Sequence, residues 1–341
     1  MLTERRSRIL RSIIQEYIST ATPVSSGAVA NTYGLGVSPA TIRNEMASLE
    51  EEGYIMQPHT SAGRVPSAMG YRYYVEALLE ERALTQDEQR TIRHQFHQVH
   101  RGIDEWVHLS ATILARMLNN VAIVTSPQLV EPKMKLTSLL LLRETTALMT
   151  VVFQNGSYRQ QACPFDGEVT QEDLNNIANK LTDYYGGMSG SEMKSRNDEL
   201  TQLEEKALAI LVEIIDEETT QTTEEPYLDG LSQILSQPEF AKGGMAQGLM
   251  ELIEERSLLR SILSQAPEDE RLRVIIGSEN PQSSMHDFSV VLSRYGLPEQ
   301  TSGIVGIVGP TRMPYSRTFS AVRFLSDTMS DLLYGLYGDE R

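Results

Sequence analysis

Apolar and polar side chains alternate at a helical period from the start of the chain. Ile9, Ile13, Ile14 and Tyr17 recur on one face, flanked by Leu10 and Ile18, and Pro23 closes this first helix. A short second helix starts at Ser25 or Ser26 and runs through Tyr33, with Val29 and Ala30 turned inward. Gly34-Leu-Gly-Val37 makes a tight turn. Ser38 then supplies an N-cap, and Pro39 occupies the first helical position, where a missing N–H costs nothing. The third helix therefore runs from Pro39 to about Glu52, and Gly53 ends it. Its Ile42, Met46 and Leu49 form a stripe that must pack on the first two helices.

The opposite face of the third helix carries Ala40, Thr41, Asn44, Ala47 and Ser48, flanked by Arg43 and opened by Ser38. Small hydrogen-bonding groups with one arginine suit a helix lying in the major groove. Asparagine pairs bidentately with adenine and arginine with guanine, and small neighbours permit close approach. An ordinary solvated face would carry lysine and glutamate instead. Here the carboxylates come later, at Glu50 to Glu52, where they would point away from phosphate. Tyr54 to Gln57 reads as a short strand, Pro58 to Gly63 as a turn, and Arg64-Val-Pro66 leads out. A hairpin loop holding His59, Thr60, Ser61 and Arg64 has the character of the wing of a winged helix, whose donors lie beside the backbone or minor groove.

Further on, Tyr71-Arg-Tyr-Tyr74 reads as aromatic packing at a domain boundary. Leu84-Thr85 with Glu88 is a capping-box start to a helix reaching toward Gly102. A second helix follows from Ile103 to about Asn119, with Trp106, Ile113, Leu114 and Leu118. His94, His97 and His100 step around the helix without a partner carboxylate, so they read as a solvated face rather than a metal site. The period then changes. Leu136 to Leu142, Ala147 to Phe153 and Ser157 to Cys163 read as strands, with Asn155-Gly156 as a hairpin signal between the last two. Arg273 to Ile276, Phe288 to Ser293 and Gly303 to Val308 are further strands, and a closing helix holds Phe319, Val322, Leu325, Met329, Leu332 and Leu333. Strands at both ends with helical sequence between imply one sheet interrupted by an insertion. Gly303, Gly306 and Gly309 have the wrong spacing for a dinucleotide fingerprint and imply close packing against the closing helix.

Charge sharpens this picture. The chain of 341 residues carries a net charge of −16, but its seven arginines and six glutamates before residue 76 leave the head at +1. Four arginines, at positions 5, 6, 8 and 11, sit at its very start. A locally basic face on an acidic protein still binds a polyanion, because screening limits repulsion to about 8–10 Å. The longest unbroken apolar run, Ala207 to Val212, falls far below the ~20 residues that span a bilayer. The N-terminus lacks the pattern of a signal peptide. A single cysteine, Cys163, excludes an intrachain disulfide and a cysteine-cluster zinc site. No nucleophile elbow, P-loop, Ser/His/Asp order or metal motif is present. The expectation is a cytoplasmic protein, neither membrane-bound nor an enzyme, with no cofactor.

Four stretches carry a family resemblance. They are Val37-Ser-Pro-Ala-Thr-Ile-Arg-Asn-Glu-Met46, Leu49-Glu-Glu-Glu-Gly-Tyr-Ile55, Gln57-Pro-His-Thr-Ser-Ala-Gly-Arg-Val-Pro66 and Gly70-Tyr-Arg-Tyr-Tyr-Val75. Together they resemble the heat-inducible transcription repressor HrcA family of bacteria. The stretch Gly303-Ile-Val-Gly-Ile-Val-Gly-Pro-Thr-Arg-Met-Pro-Tyr315 is similar to the same family at the other end of the chain. The resemblance implies an α+β protein with an N-terminal winged helix-turn-helix, a GAF-like α/β domain and a mostly helical inserted dimerisation domain. It implies a homodimer on double-stranded DNA, at an inverted-repeat operator upstream of chaperonin and chaperone operons, with the chaperonin as modulator. The corresponding boundaries are 1–75 for the head, 76–102 for a helical connector, 103–165 with 271–341 for the GAF-like domain, and 166–270 for the insertion. Within the insertion, Leu200, Leu203, Ala207, Ile210 and Ile214 form one stripe, and Leu249, Leu252, Ile253, Leu259, Ile262 and Leu263 another. Leu203, Ile210, Ile214, Leu252 and Leu259 are the expected dimer contacts. The competing reading is a regulator that senses a small molecule in the GAF-like domain.

Overall fold

The computed structural model describes residues 2–33, 38–59, 62–99, 102–129, 132–154, 156–221, 226–242, 244–254, 256–267, 272–297 and 301–337. The expected turn at Gly34 to Val37, the hairpin residue Asn155 and His100 lie outside them. Helix α1 (Glu4–Thr20) opens with the Thr3 hydroxyl accepting the Arg6 N–H and stops at Ala21, in the left-handed region at φ 53°. Helices α2 (Ser26–Tyr33) and α3 (Pro39–Glu51) follow. The expected stripes meet in one small core. Ile9, Leu10, Ile13 and Ile14 of α1, Val29 of α2, and Ile42, Met46 and Leu49 of α3 are all buried. Strands β1 (Ile55–Met56) and β2 (Val65–Pro66) pair antiparallel as the expected hairpin.

Helix α4 (Ala68–Tyr73) continues into a π-helical turn at Tyr74–Leu78. Tyr71 and Tyr74 are buried, and Tyr73 meets Tyr54 edge-on with ring centroids 5.4 Å apart, so this aromatic cluster packs. Helix α5 (Gln86–Gln98) begins at the Thr85–Glu88 capping box, and α6 (Ile103–Leu118) buries Trp106, Ile113, Leu114 and Leu118. His94 and His97 are exposed on α5, and the described residues contain no His/Cys/Asp/Glu group able to hold a metal.

The chain next makes strand β3 (Val121–Val124) and then enters a second compact unit. That unit contains β4 (Gln128–Leu129), which pairs with Thr301 and Ser302, and an antiparallel sheet of β5 (Met134–Arg143), β6 (Thr146–Phe153) and β7 (Tyr158–Pro164) in that order. Helices α7 (Gln171–Tyr185), α8 (Gly190–Ser195) and α9 (Gln202–Gln221) complete it. One sheet face packs on the helices. Leu139, Ala147, Met149, Val151, Phe153 and Cys163 share a core with Leu174, Ile177 and Leu181 of α7 and with Ala207, Leu211 and Ile214 of α9. Burial alternates strictly along β6, the signature of a sheet covered on one side.

The return stretch begins with β8 (Tyr227–Asp229), α10 (Leu231–Leu235), a 3-10 turn at Pro238–Lys242, α11 (Gly244–Glu254) and α12 (Arg256–Leu263). It ends with β9 (Arg273–Ile276), β10 (Phe288–Leu297), β11 (Thr301–Pro310) and α13 (Tyr315–Tyr337). These strands form a sheet in the order β8-β3-β11-β10-β9. On one face Ile123, Val290, Leu292 and Ile275 meet Leu249, Leu252, Leu259 and Ile262. On the other, Ser289 and Ser293 hydrogen-bond Tyr315 and Ser326 of α13. Both faces are covered, so β10 is buried almost throughout.

Two expectations are corrected. The strands belong to two sheets, not to one interrupted sheet: β5 to β7 pair only among themselves, whereas β3, β4 and β8 to β11 form the other. The boundaries move with them. The compact units are 1–127 with 226–296 and 303–341, and 128–225 with 297–302. Residues 226–267, expected in the insertion, cover the larger sheet, and the strands of 134–164, expected in the GAF-like domain, build the second unit. The glycines of β11 do mark close approach, but to other neighbours than the closing helix. A Cβ at Gly303, Gly306 or Gly309 would stand 2.4–2.5 Å from Tyr295, Leu292 or Asn120 respectively.

Candidate nucleic-acid interface

The Ser38 hydroxyl accepts the Thr41 N–H at 3.2 Å and lies 3.0 Å from the Thr41 hydroxyl, so both side chains fix the start of α3. Burial of Ile42, Met46 and Leu49 fixes its rotation. The face left outward is the expected one. Ala40, Arg43, Asn44 and Ala47 are exposed, and Thr41 and Ser48 are half-buried at its margins. Among the described residues neither Arg43 nor Asn44 has a polar partner, so their donors are free for a ligand.

The hairpin beside α3 is stitched down at its base. Arg64 and Val24 exchange both backbone hydrogen bonds at 2.8 Å. The Arg64 guanidinium holds the Glu50 carboxylate at 2.7–2.8 Å, and Gln57 donates to the Ala62 carbonyl at 3.1 Å. His59 is exposed, while Thr60 and Ser61 lie outside the described residues. Arg64, expected to reach DNA, is therefore engaged with α3. Its charge is matched by a carboxylate, and it orients the hairpin root.

The cluster of basic residues at the start of the chain is also largely spoken for. Arg6 bonds Glu45 at 2.9 Å and also contacts Glu52, Arg5 stands 3.7 Å from Glu45, and Arg11 pairs with Glu80 at 2.7 Å. Glu50 and Glu52 are neutralised in place by Arg64 and Arg6. Among the described residues the head's arginines without an ion pair are Arg8 and Arg43. Sequence reading did not separate Arg8 from its neighbours, because the partners of Arg5, Arg6 and Arg11 lie 40 or more positions away or on another helix.

A cavity of 460 Å³ lies between α1, the segment 78–85 and the start of α13. Two of its arginines, Arg11 and Arg317, are matched by Glu80 and Glu88, so its wall is largely self-satisfied.

A family description for the C-terminal domain of HrcA proteins matches residues 104–319. The heat-inducible transcription repressor HrcA of Dehalococcoides mccartyi strain 195 is 39% identical, over 99% of this chain and 98% of its own length. The chain belongs to the HrcA family. The HrcA repressor of Herpetosiphon aurantiacus is 38% identical over 100% of this chain and 98% of its own. A crystal structure described only as that of a hypothetical protein shares the fold, with a TM-score of 0.58, 22% identity and 98% of both chains covered. The chain is therefore a heat-inducible transcription repressor and not an enzyme. Among the described residues no helix is long and apolar enough to cross a membrane.

Membership also gives the Arg64 geometry a measurable consequence. A guanidinium facing phosphate releases counterions, and one facing Glu50 does not. Arg64→Gln is expected to leave the slope of log affinity against log salt unchanged and to lower stability by up to ~1 kcal/mol, the scale of a part-exposed pair. A slope reduced by about 1 would show instead that Arg64 leaves Glu50 for DNA.

Proposed function

We propose that residues 1–75 act as a winged helix-turn-helix that reads an inverted-repeat operator of chaperonin and chaperone operons, with α3 in the major groove. The observation that carries this reading is the outward face of α3. It is small and uncharged except for Arg43, its Arg43 and Asn44 have no polar partner among the described residues, and Glu50 and Glu52 at its border are matched by Arg64 and Arg6. Asn44 and Arg43 are the base-reading candidates, Ser38, Ala40, Thr41 and Ser48 shape the approach, and His59, Thr60 and Ser61 serve the wing.

The body is read as GAF-like, with 128–225 as the dimerising insertion. A palindromic operator calls for a twofold protein, and the surface that fits a second copy is the uncovered face of β5–β6–β7. Cross-strand register places Leu136, Val152 and Tyr158 in one row, Ser138, Thr150 and Gln160 in the next, and Leu140, Leu148 and Ala162 in a third. No charge interrupts these rows. Tyr158 is 61% exposed, Leu140 58% and Leu142 52%, an apolar cost that a partner would remove.

This surface replaces the expected dimer contacts. Leu252 and Leu259 are buried in the core of the larger unit and Ile214 in that of the smaller one; Leu203 and Ile210 are partly buried against the same smaller core. The chaperonin is kept as the modulator, and the cytoplasm as the place of action. The test is binding of the full chain to a chaperonin-promoter duplex against a scrambled duplex of equal length. Preference of the order of 10³-fold or more is expected at physiological salt; equal affinity for both would reject the reading.

A further inference from the structure

The motif Gly309-Pro-Thr-Arg-Met-Pro-Tyr315 has no place in the DNA-reading surface, yet it meets the head directly. Helix α1 has no basic residue in its own last turn. Its Ile18 carbonyl, one of the acceptors a helix end leaves without a partner, is bonded at 2.9 Å by the Arg312 guanidinium, 294 positions further on. The same guanidinium contacts Glu239 through two nitrogens, one at 3.1 Å, and Gln237 at 3.3 Å. Arg312 and Glu239 are only 15% and 17% exposed, so neither charge is left to water. One side chain thus ties the C-terminal end of α1, the 3-10 turn of the body and the turn into α13.

A second tie lies on α4. Arg72 bonds Glu279 at 2.7 Å and the Val274 carbonyl at 2.9 Å. Beside it, Tyr71 packs on Tyr315 with ring centroids 5.8 Å apart, and the Tyr315 hydroxyl bonds Thr311 and Ser289. Two ties and a buried aromatic contact between them therefore hold the head to the body at more than one place.

We propose that Arg312 is a positioning residue for operator binding: it fixes the angle of the head on the body of the same unit, and so removes a freedom that two linked heads would otherwise have to lose when both engage an operator. The inference rests on the dimeric operator reading above. Two linked heads gain affinity over one only when their geometry lets both engage. A carbonyl at a helix end and a carboxylate in a turn are held together by a planar fork, which a point charge reproduces only in part.

The full-length wild type, Arg312→Ala, Arg312→Lys and Glu239→Gln are compared on labelled duplexes carrying the full inverted repeat or a single half-site. For Arg312→Ala, full-repeat affinity is expected to fall roughly 10- to 100-fold, within the 10²–10⁴ gain that linkage confers, with half-site affinity unchanged. Arg312→Lys should recover part of the loss. Glu239→Gln, which keeps the bond to Ile18, should lose less in the same direction and serves if the alanine variant fails to fold. Separately, nitroxide labels at exposed Ala47 and Ser232, diluted with unlabelled protein, report the head–body distance without DNA; the native Cys163 is buried and does not label. A narrow distribution that broadens in Arg312→Ala supports the proposal. An unchanged distribution, or an equal loss on full and half sites, overturns it. A wild type that does not prefer the full repeat would defeat the operator reading, while the label distances still decide the role of Arg312.

Discussion

Replacing Leu140 with glutamate is expected to leave a folded monomer that binds the full inverted repeat no better than a half-site. Leu140 is 58% exposed on the uncovered face of β5, between Leu148 on β6 and solvent, so a charge there is hydrated in the single chain. In a dimer that uses this face the carboxylate is buried without a partner, at a cost of about 3–5 kcal/mol, or roughly 10²- to 4 × 10³-fold in the dimerisation constant at 1.4 kcal/mol per decade. Loss of the second head then removes the avidity that links the half-sites. Sedimentation and thermal melting separate the outcomes: the variant should run as a monomer with an unchanged melt. A variant that stays dimeric and binds normally would place the interface elsewhere. Leu203→Glu with Ile210→Glu makes the contrast. Those side chains support the core of the smaller unit, so that pair should lower its melting temperature before it touches assembly.

Asn44→Ala is expected to abolish discrimination between operator and scrambled DNA while leaving fold and dimer intact. Asn44 is exposed at the centre of the outward face of α3 and has no partner among the described residues, so nothing inside the protein depends on it. Alanine also favours the helix by a few tenths of a kcal/mol. A bidentate base contact is worth ~1–3 kcal/mol per half-site, and a dimer loses it twice. The salt slope should not move, because asparagine carries no charge. Arg43→Gln, in contrast, should lower the slope by about 1 per head if Arg43 also meets phosphate. Competition titrations at two salt concentrations give both readings. Wild-type discrimination by Asn44→Ala would remove α3 from the reading position.

The head was legible because its signals are local. Ser38 with Pro39 and the stripes Ile9-Ile13-Ile14 and Ile42-Met46-Leu49 step by no more than four residues, as does the Thr85–Glu88 box beyond the head, and each stands where the sequence places it. The strands of the smaller sheet were legible for a related reason. One face is bare, so burial alternates along β6 and the alternation is written in the residues. Strand β3 escaped, because Val121 to Val124 is buried on both faces and follows α6 within two residues. Four apolar residues in a row carry neither period.

Sequence alone therefore determined the helices of the head, the outward face of α3, and the family through motifs at both ends of the chain. It could not assign strands to sheets, since hydrogen bonding between strands has no trace in local periodicity. Nor could it tell an interface stripe from a core stripe: Leu252 and Leu259 repeat as a dimer seam would, and only the sheet beneath them makes them core. Charges followed the same rule. Arginines 5, 6, 8, 11, 43 and 64 look alike in sequence, and tertiary structure alone commits Arg6 to Glu45, Arg11 to Glu80 and Arg64 to Glu50 while leaving Arg8 and Arg43 without an ion pair among the described residues. The farthest case is Arg312 on Ile18, where the partner is a backbone carbonyl 294 positions away, a group every residue carries and no sequence pattern can mark.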